Sequence, residues 1–258
     1  MDNLIEQQRT HFNEISDEYF AARKHPNHLL LKDLIWSHFF ARNRNIGTDI
    51  KRVLEPMCGM AEGYAIITKN IGAEFSYVGF DYSERMVAIA REKNPQLEIE
   101  WNDVTRYEPP NRLFDMVMLI GGLHHVYSHT EAVLVNLRKC LYRGGYFLSF
   151  EPTHANWLTR WTRRRVYNAN RLFDADTEQG FEYRDLQHHF ENAGFEKVDE
   201  VYPGLLAYVL YYNPDAFPML NIGGKFLIKS LFAFDRLFWA NGIGRKLSFA
   251  TISLWRRS

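Results

Sequence analysis

The 258 residues are 46% hydrophobic and 24% charged, with Lys+Arg and Asp+Glu balanced at 31 each. That balance excludes a global basic field for gripping nucleic acid, and two cysteines, Cys58 and Cys140, exclude a disulfide framework, so the reading is cytoplasmic with no nucleic-acid partner. No run reaches the ~18 uninterrupted apolar residues of a membrane span, and Met1–Phe20, with six charges, is not a signal peptide.

Residues 2–23 and 28–45 read as helices, with Pro26 breaking between them. From Lys51 the pattern alternates. Strands are expected at 51–57, 76–81, 97–102, 113–120 and 144–151, and helices at 62–71, 83–94 and 128–142. Asn94-Pro95, Pro109-Pro110-Asn111 and Gly144-Gly145 punctuate them. Beyond Pro152 the alternation fades into a Trp- and Arg-rich helix near 155–170, a helix at 183–193 closed by Gly194, and a strand at 195–202. A final alternating strand follows at 247–256, and the last two strands should pair antiparallel at the sheet edge with 203–245 inserted between them. The fold class is α/β: a doubly wound, mostly parallel, seven-stranded, Rossmann-like sheet with an N-terminal helical cap and a helical insertion before the last strand.

Val53-Leu54-Glu55-Pro56-Met57-Cys58-Gly59-Met60-Ala61-Glu62-Gly63 outlines a strand, a tight turn and a helix start, and Asp81 closes the second strand 22 residues after Gly59. This is a nucleoside-binding βαβ unit whose acid holds ribose hydroxyls. The turn lacks G-x-G-x-x-G, and Glu55 and Glu62 would oppose the phosphates that a helix N-terminus attracts. A positively charged nucleoside fits better, and S-adenosyl-L-methionine is that ligand. An NAD(P)-dependent oxidoreductase is disfavoured on the same grounds.

With those residues in view, the chain resembles the class I S-adenosylmethionine-dependent methyltransferases from about residue 50 to 152, with weaker echoes to the C-terminus. Four features match in order: the Val53–Gly63 loop, Asp81-Tyr82, Asn102-Asp103-Val104, and Leu119-Ile120-Gly121-Gly122-Leu123-His124-His125-Val126. The resemblance implies cofactor contacts from Glu55, Met57, Cys58, Gly59 and Ala61, from Asp81, Tyr82 and Met86, from Asp103 and Val104, from Ile120 and Gly121, and from Tyr19 of the cap. It departs from the family's acid-x-Gly-x-Gly-x-Gly loop, because Met57 and Ala61 stand where glycines are usual and Glu55 replaces Asp. The implied organisation is a single methyltransferase domain over 1–258: a helical cap (1–45), a cofactor-binding core (50–152), substrate-side helices and insertion (153–245) and the last strand (246–258).

His124, His125 and Glu151 are the catalytic candidates. They fall at the ends of neighbouring strands, where a histidine accepts an acceptor's proton and the acid orients it or binds substrate. The competing reading is transfer by alignment alone, with one histidine packed inward. Asp17-Glu18-Tyr19-Phe20 and Arg23 resemble a cap over the cofactor, or form a plain amphipathic helix. Arg160, Arg163, Arg164 and Arg165, with Trp157 and Trp161, read first as a solvated helix face and second as an anion site. The apolar stretch from Lys225 to Ala240 reads first as core, then as a substrate lid, then as a membrane contact. No metal-binding spacing appears. Methyl transfer to oxygen or nitrogen of a small-molecule acceptor is the leading function, with the protein a monomer or homodimer. The alternatives are a non-catalytic S-adenosylmethionine-binding protein and, less favoured, a nucleic-acid methyltransferase. The last lacks the Asp/Asn-Pro-Pro-aromatic loop and the Pro-Cys nucleophile.

Overall fold

The computed structural model describes residues 3–46, 50–109, 112–157, 159–161, 165, 180–214 and 221–258, without the side chains at 3, 4, 18, 19 and 22. Helices α1 (Asn3–Arg23) and α2 (Pro26–Arg42) come first. Pro26, expected to break the chain between two helices, is instead the first residue of α2, where its missing N–H leaves no bond unmade. His25 caps that end, its Nδ1 accepting the Asn27 N–H at 3.2 Å.

The expected alternation follows: β1 (Arg52–Pro56), α3 (Glu62–Ile71), β2 (Ser76–Asp81), α4 (Glu84–Lys93), β3 (Glu98–Trp101), β4 (Phe114–Ile120), α5 (Thr130–Lys139) and β5 (Leu141–His154). A 3-10 stretch, Leu123–His129, links β4 to α5. The remainder is β6 (Phe181–Glu182), α6 (Tyr183–Asn192), β7 (Phe195–Val201), α7 (Leu206–Tyr211), α8 (Lys225–Asp235), α9 (Gly242–Leu247) and β8 (Ala250–Arg257).

The sheet runs β3-β2-β1-β4-β5-β8-β7, with β8 antiparallel to both of its neighbours. These are the seven strands that the pattern predicts, with the antiparallel last pair at the edge. An eighth strand, β6, was not foreseen. It is two residues long and pairs with Thr153 and His154, held where Phe181 stacks on Tyr127 at 4.9 Å. For the same reason β5 runs three residues past its expected end.

Alternation along the strands feeds two cores. Val53, Met116, Leu148 and Ile252 face one way, with Trp36 and Phe39 of α2 and Ile67 of α3. Leu54, Val117, Phe147 and Trp255 face the other, with Leu134 of α5 and Phe190 of α6. All are nearly fully buried, and each such side chain contributes about 1.5–3 kcal/mol. Strand order reverses between β1 and β4, so a crevice opens at their C-terminal ends. The candidate site lies there.

Candidate functional site

The first loop keeps a glycine-type backbone without the glycines. Met57, Gly59 and Ala61 all have positive φ, at 53°, 51° and 61°. For Met57 and Ala61 this conformation costs about 1–2 kcal/mol each. The loop is pinned against β2: the Cys58 N–H donates to the Phe80 carbonyl at 3.0 Å, and the Gly59 N–H donates to Asp81 Oδ2 at 2.9 Å. A Cβ at Gly59 would meet nothing within 4 Å, so open space lies over its backbone.

Asp81 also accepts the Ser83 N–H through Oδ1 at 2.9 Å, while Ser83 itself caps α4 by accepting the Met86 N–H at 3.1 Å. The acid is therefore a bridge between the two loops rather than a helix cap. Desolvation raises its pKa, against the pull of these backbone donors.

Glu55 sits beneath the loop. Its Oε1 accepts the Gly63 N–H at 3.0 Å and its Oε2 the Tyr77 hydroxyl at 2.5 Å. Burial pushes its pKa up to about 8, against the opposing hydrogen bonds from Tyr77 and Gly63. The expectation of a charged carboxylate repelling phosphates from this position is thereby corrected: the group is buried, committed to inward bonds and held towards its neutral form. Glu62, by contrast, pairs with Lys32 at 3.2 Å. Desolvation acts to raise its pKa, but the surrounding cations, Lys32 foremost, outweigh it and leave the carboxyl below its usual range.

Two expected results follow from this packing. A Cβ at Gly63 would lie 2.6 Å from the Glu55 carboxyl carbon. Gly63→Ala should therefore destabilise the protein by about 1–3 kcal/mol in denaturant unfolding, despite the gain in helix propensity. A Glu55→Ala background should remove most of that loss; an unchanged loss there would refute the clash. The second result concerns pH. A pKa raised from 4.5 to about 8 on folding makes a contribution that is complete below pH 4.5 and lost as pH rises through 8. Glu55→Gln mimics the protonated form, so its melting temperature should fall less than the wild type's between pH 5 and pH 9. Parallel curves would show that Glu55 is ionised in the folded state.

These groups open on a cavity of about 280 Å³, near the lower end of small-molecule sites. Of the residues expected at the cofactor, Glu55, Met57, Cys58, Gly59, Asp81, Tyr82, Met86, Asp103, Val104, Ile120 and Gly121 line it. Ala61 does not; it is buried as the left-handed residue preceding α3. The Tyr19 side chain lies outside the described residues. Asp103 accepts from the Thr105 N–H and hydroxyl at 2.9 and 2.7 Å, which shapes the β3 loop towards the cavity.

The three catalytic candidates come together on the same cavity. Glu151 is fully buried and gathers three backbone donors from the loop after β4. Its Oε1 accepts the Gly122 and Leu123 N–H groups at 3.0 and 2.9 Å, and its Oε2 the His124 N–H at 3.4 Å. Oε2 also lies 2.9 Å from His124 Nδ1. Burial raises the Glu151 pKa to about 8 against those backbone donors. Glu151 and His124 both line the cavity, with the carboxylate within hydrogen-bond reach of the ring. His124 is the histidine packed inward, and His125 lies against it at 3.9 Å and edge-on to Phe12 of α1 at 5.0 Å.

Of the expected cap residues, the side chains of Glu18 and Tyr19 lie outside the described ones. Ile5, Gln8, Arg9 and Phe12 of α1 reach the cavity, with Arg23 at the helix end. A polar clasp holds α1 down: Arg9 pairs with Glu84 at 2.7 Å, the Ser83 hydroxyl donates to Asn13 at 2.6 Å, and the Tyr82 hydroxyl bonds Glu6. His28 of α2 is a further wall residue. It is buried, with Nδ1 at 2.5 Å from the Tyr212 carbonyl, and desolvation followed by the nearby Arg23 charge drops its pKa to about 3. It is thus a neutral imidazole. Phe150, Tyr208, Tyr212 and Phe249 complete an aromatic end. Among the described residues no group of three or more metal-ligating side chains forms. In the Arg-rich segment Arg163 and Arg164 lie outside the described residues, while Arg160 and Arg165 are exposed, as a solvated face requires.

Residues 53–145 match the family model described as "Methyltransferase domain". The chain is 24% identical over 217 residues to a demethylmenaquinone methyltransferase from Staphylococcus haemolyticus, covering 75% of this chain and 87% of that protein. It is 28% identical over 122 residues to proteins of the same name from Listeria welshimeri and Listeria monocytogenes, where the match covers 45% of this chain and half the length of the relative. Among solved structures, a SAM-dependent methyltransferase from Thermotoga maritima superposes with TM-score 0.65 at 15% identity, over 96% of this chain and 99% of that one. The [4+2]-cyclase SpnF superposes with TM-score 0.57 at 13% identity, over 84% and 80%. At these identities the structural likeness carries the fold alone, and SpnF shows by its name that the fold hosts other chemistry.

Proposed function

We propose that this chain, whose residues 53–145 match a methyltransferase domain, is a class I S-adenosylmethionine-dependent methyltransferase that binds its cofactor in the β1–β4 crevice and methylates oxygen or nitrogen of a hydrophobic, ring-bearing small molecule. One observation carries the reading: the Asp81-anchored loop and the His124–Glu151 pair line a single cavity. When bound, the cofactor supplies an electrophilic methyl group on a sulfonium. The chain's own residues fit it. The left-handed loop leaves open space over Gly59, and Asp81 keeps acceptor capacity for ribose hydroxyls.

At the acceptor end, Phe12, Phe150, Tyr208, Tyr212 and Phe249 supply apolar ring surface. The curated relatives named above act, by name, on a demethylated menaquinone, which is in keeping with such walls. The histidine pair receives the acceptor's proton, and Glu151 positions His124 for it. The departure at Met57 from the family's glycine is what would favour a non-catalytic binding protein. That support weakens, because Met57 holds the backbone conformation a glycine would.

The test is calorimetry with S-adenosylmethionine and S-adenosylhomocysteine, followed by radiolabelled methyl transfer to a panel of phenols, amines and quinols. Binding with transfer to a ring-bearing hydroxyl or amine is the expected outcome. Tight binding with no transfer across the panel would favour the non-catalytic protein, and transfer to a ring carbon would correct the assignment to oxygen or nitrogen.

A further inference from the structure

The segment from Lys225 to Ala240, read from sequence first as core, is only partly so. At about 100° per residue, Ile228, Phe232 and Asp235 of α8 fall on one side, and all three are buried. Phe226, Leu227 and Phe234 fall in a sector on the opposite side and are 86%, 41% and 53% exposed. Leu237, in the turn just beyond, is 68% exposed and continues that sector. Lys225, Lys229 and Arg236 sit together along one flank of it, all exposed.

The charge is one-sided. Residues 221–247 contain five cations, Lys225, Lys229, Arg236, Arg245 and Lys246, and a single acid, Asp235. Asp235 is turned inward, where its carboxylate accepts the Leu206 and Ala207 N–H groups at 3.2 and 2.7 Å. The outer face therefore presents cations and apolar side chains with no exposed acid among its residues. It extends onto α9 through Ile243, and onto the neighbouring segment through Trp157, 77% exposed, because the Asn156 amide donates to the Lys246 carbonyl at 2.6 Å.

Such a surface is costly in water and mismatched to a second copy of itself, since pairing it with itself would bring like charges together. It matches an anionic lipid surface, where rings and leucines enter the headgroup boundary and lysines and arginines meet phosphates. No helix among the described residues is long and apolar enough to cross a membrane, so the contact lies on the surface. We propose that α8, α9 and the Trp157 segment form a docking face for an anionic bilayer. Through Asp235 that face is bonded to the start of α7, whose Tyr208 and Val209 line the cavity.

The experiment is flotation of the full chain with vesicles of phosphatidylcholine alone and of phosphatidylcholine mixed with phosphatidylglycerol. Bound fraction should be about tenfold higher on the anionic vesicles and fall as salt is raised. Lys225→Glu with Lys229→Glu should abolish the preference, and Phe226→Ser with Phe234→Ser should reduce binding on anionic vesicles by about tenfold. All four positions are exposed, so unchanged melting temperatures will confirm that the variants fold. Equal or absent binding to the two vesicle types would overturn the proposal. So would a wild-type dimer in solution that the Phe226→Ser, Phe234→Ser variant converts to monomer, because self-association would then be what covers the face.

Discussion

Replacing Asp81 by Ala is expected to weaken S-adenosylmethionine and S-adenosylhomocysteine binding roughly a hundredfold in calorimetry, with the fold retained. The carboxylate makes two bonds to backbone donors, Gly59 and Ser83, and those bonds join the loop after β1 to the loop after β2. Hydrogen bonds to a charged group contribute about 1.5–3 kcal/mol each. Losing the Gly59 bond alone releases a left-handed turn that Met57 and Ala61 already strain. Part of any remaining binding energy must then order that loop, and 1.4 kcal/mol corresponds to a tenfold change in affinity. Loss of the ribose contact adds to this. Asp81→Asn keeps one acceptor oxygen and the shape, so it should fall between wild type and Asp81→Ala. An Asp81→Ala protein that binds within threefold of wild type would place the nucleoside elsewhere.

Strands β1, β2 and β4 were legible in the sequence because both faces of those strands are buried. Continuous apolar runs such as Val53-Leu54 and Met116-Val117-Met118-Leu119 can only be central strands. The loop after β1 was recognisable but incomplete on paper. Glycine is how a left-handed turn announces itself, and here Met57 and Ala61 adopt that conformation without the residue that signals it. The cap was legible as a helix but not in its phase. Which turn of α1 faces the cavity depends on clasps such as Arg9 to Glu84 and Asn13 to Ser83, over separations of 75 and 70 residues. His28 was illegible for the same reason, since its buried neutral state depends on the Tyr212 carbonyl, 184 positions away. The stretch after Lys225 misled because a helix apolar on nearly all sides does not state which side has a neighbour. Only Asp235, an acid in the middle of it, hinted that one face turns towards backbone donors.

Glu151 should separate structure from chemistry when two substitutions are compared. Glu151→Ala leaves the Gly122 and Leu123 N–H groups, and the His124 N–H and ring, facing a buried void. Each unsatisfied donor costs about 1–3 kcal/mol, so this variant should lose several kcal/mol of stability or fail to fold. Glu151→Gln retains an oxygen for Gly122 and Leu123 but turns an amide N–H towards His124 Nδ1. With Nδ1 forced to accept, the proton of the neutral imidazole moves to Nε2, and the ring can no longer take one there. The variant should therefore fold and bind S-adenosylhomocysteine within about threefold of wild type, while kcat falls at least a hundredfold, within the usual span of general-base effects. The pH profile gives an independent reading. Glu151, raised to about 8 by burial, lies 2.9 Å from His124 Nδ1. Wild-type kcat should rise with pH through about 8 as Glu151 ionises, and the Glu151→Gln profile should lose that rise. If Glu151→Gln keeps wild-type turnover and an unchanged profile, Glu151 only builds the loop after β4, and the reaction proceeds by alignment of the acceptor without a base.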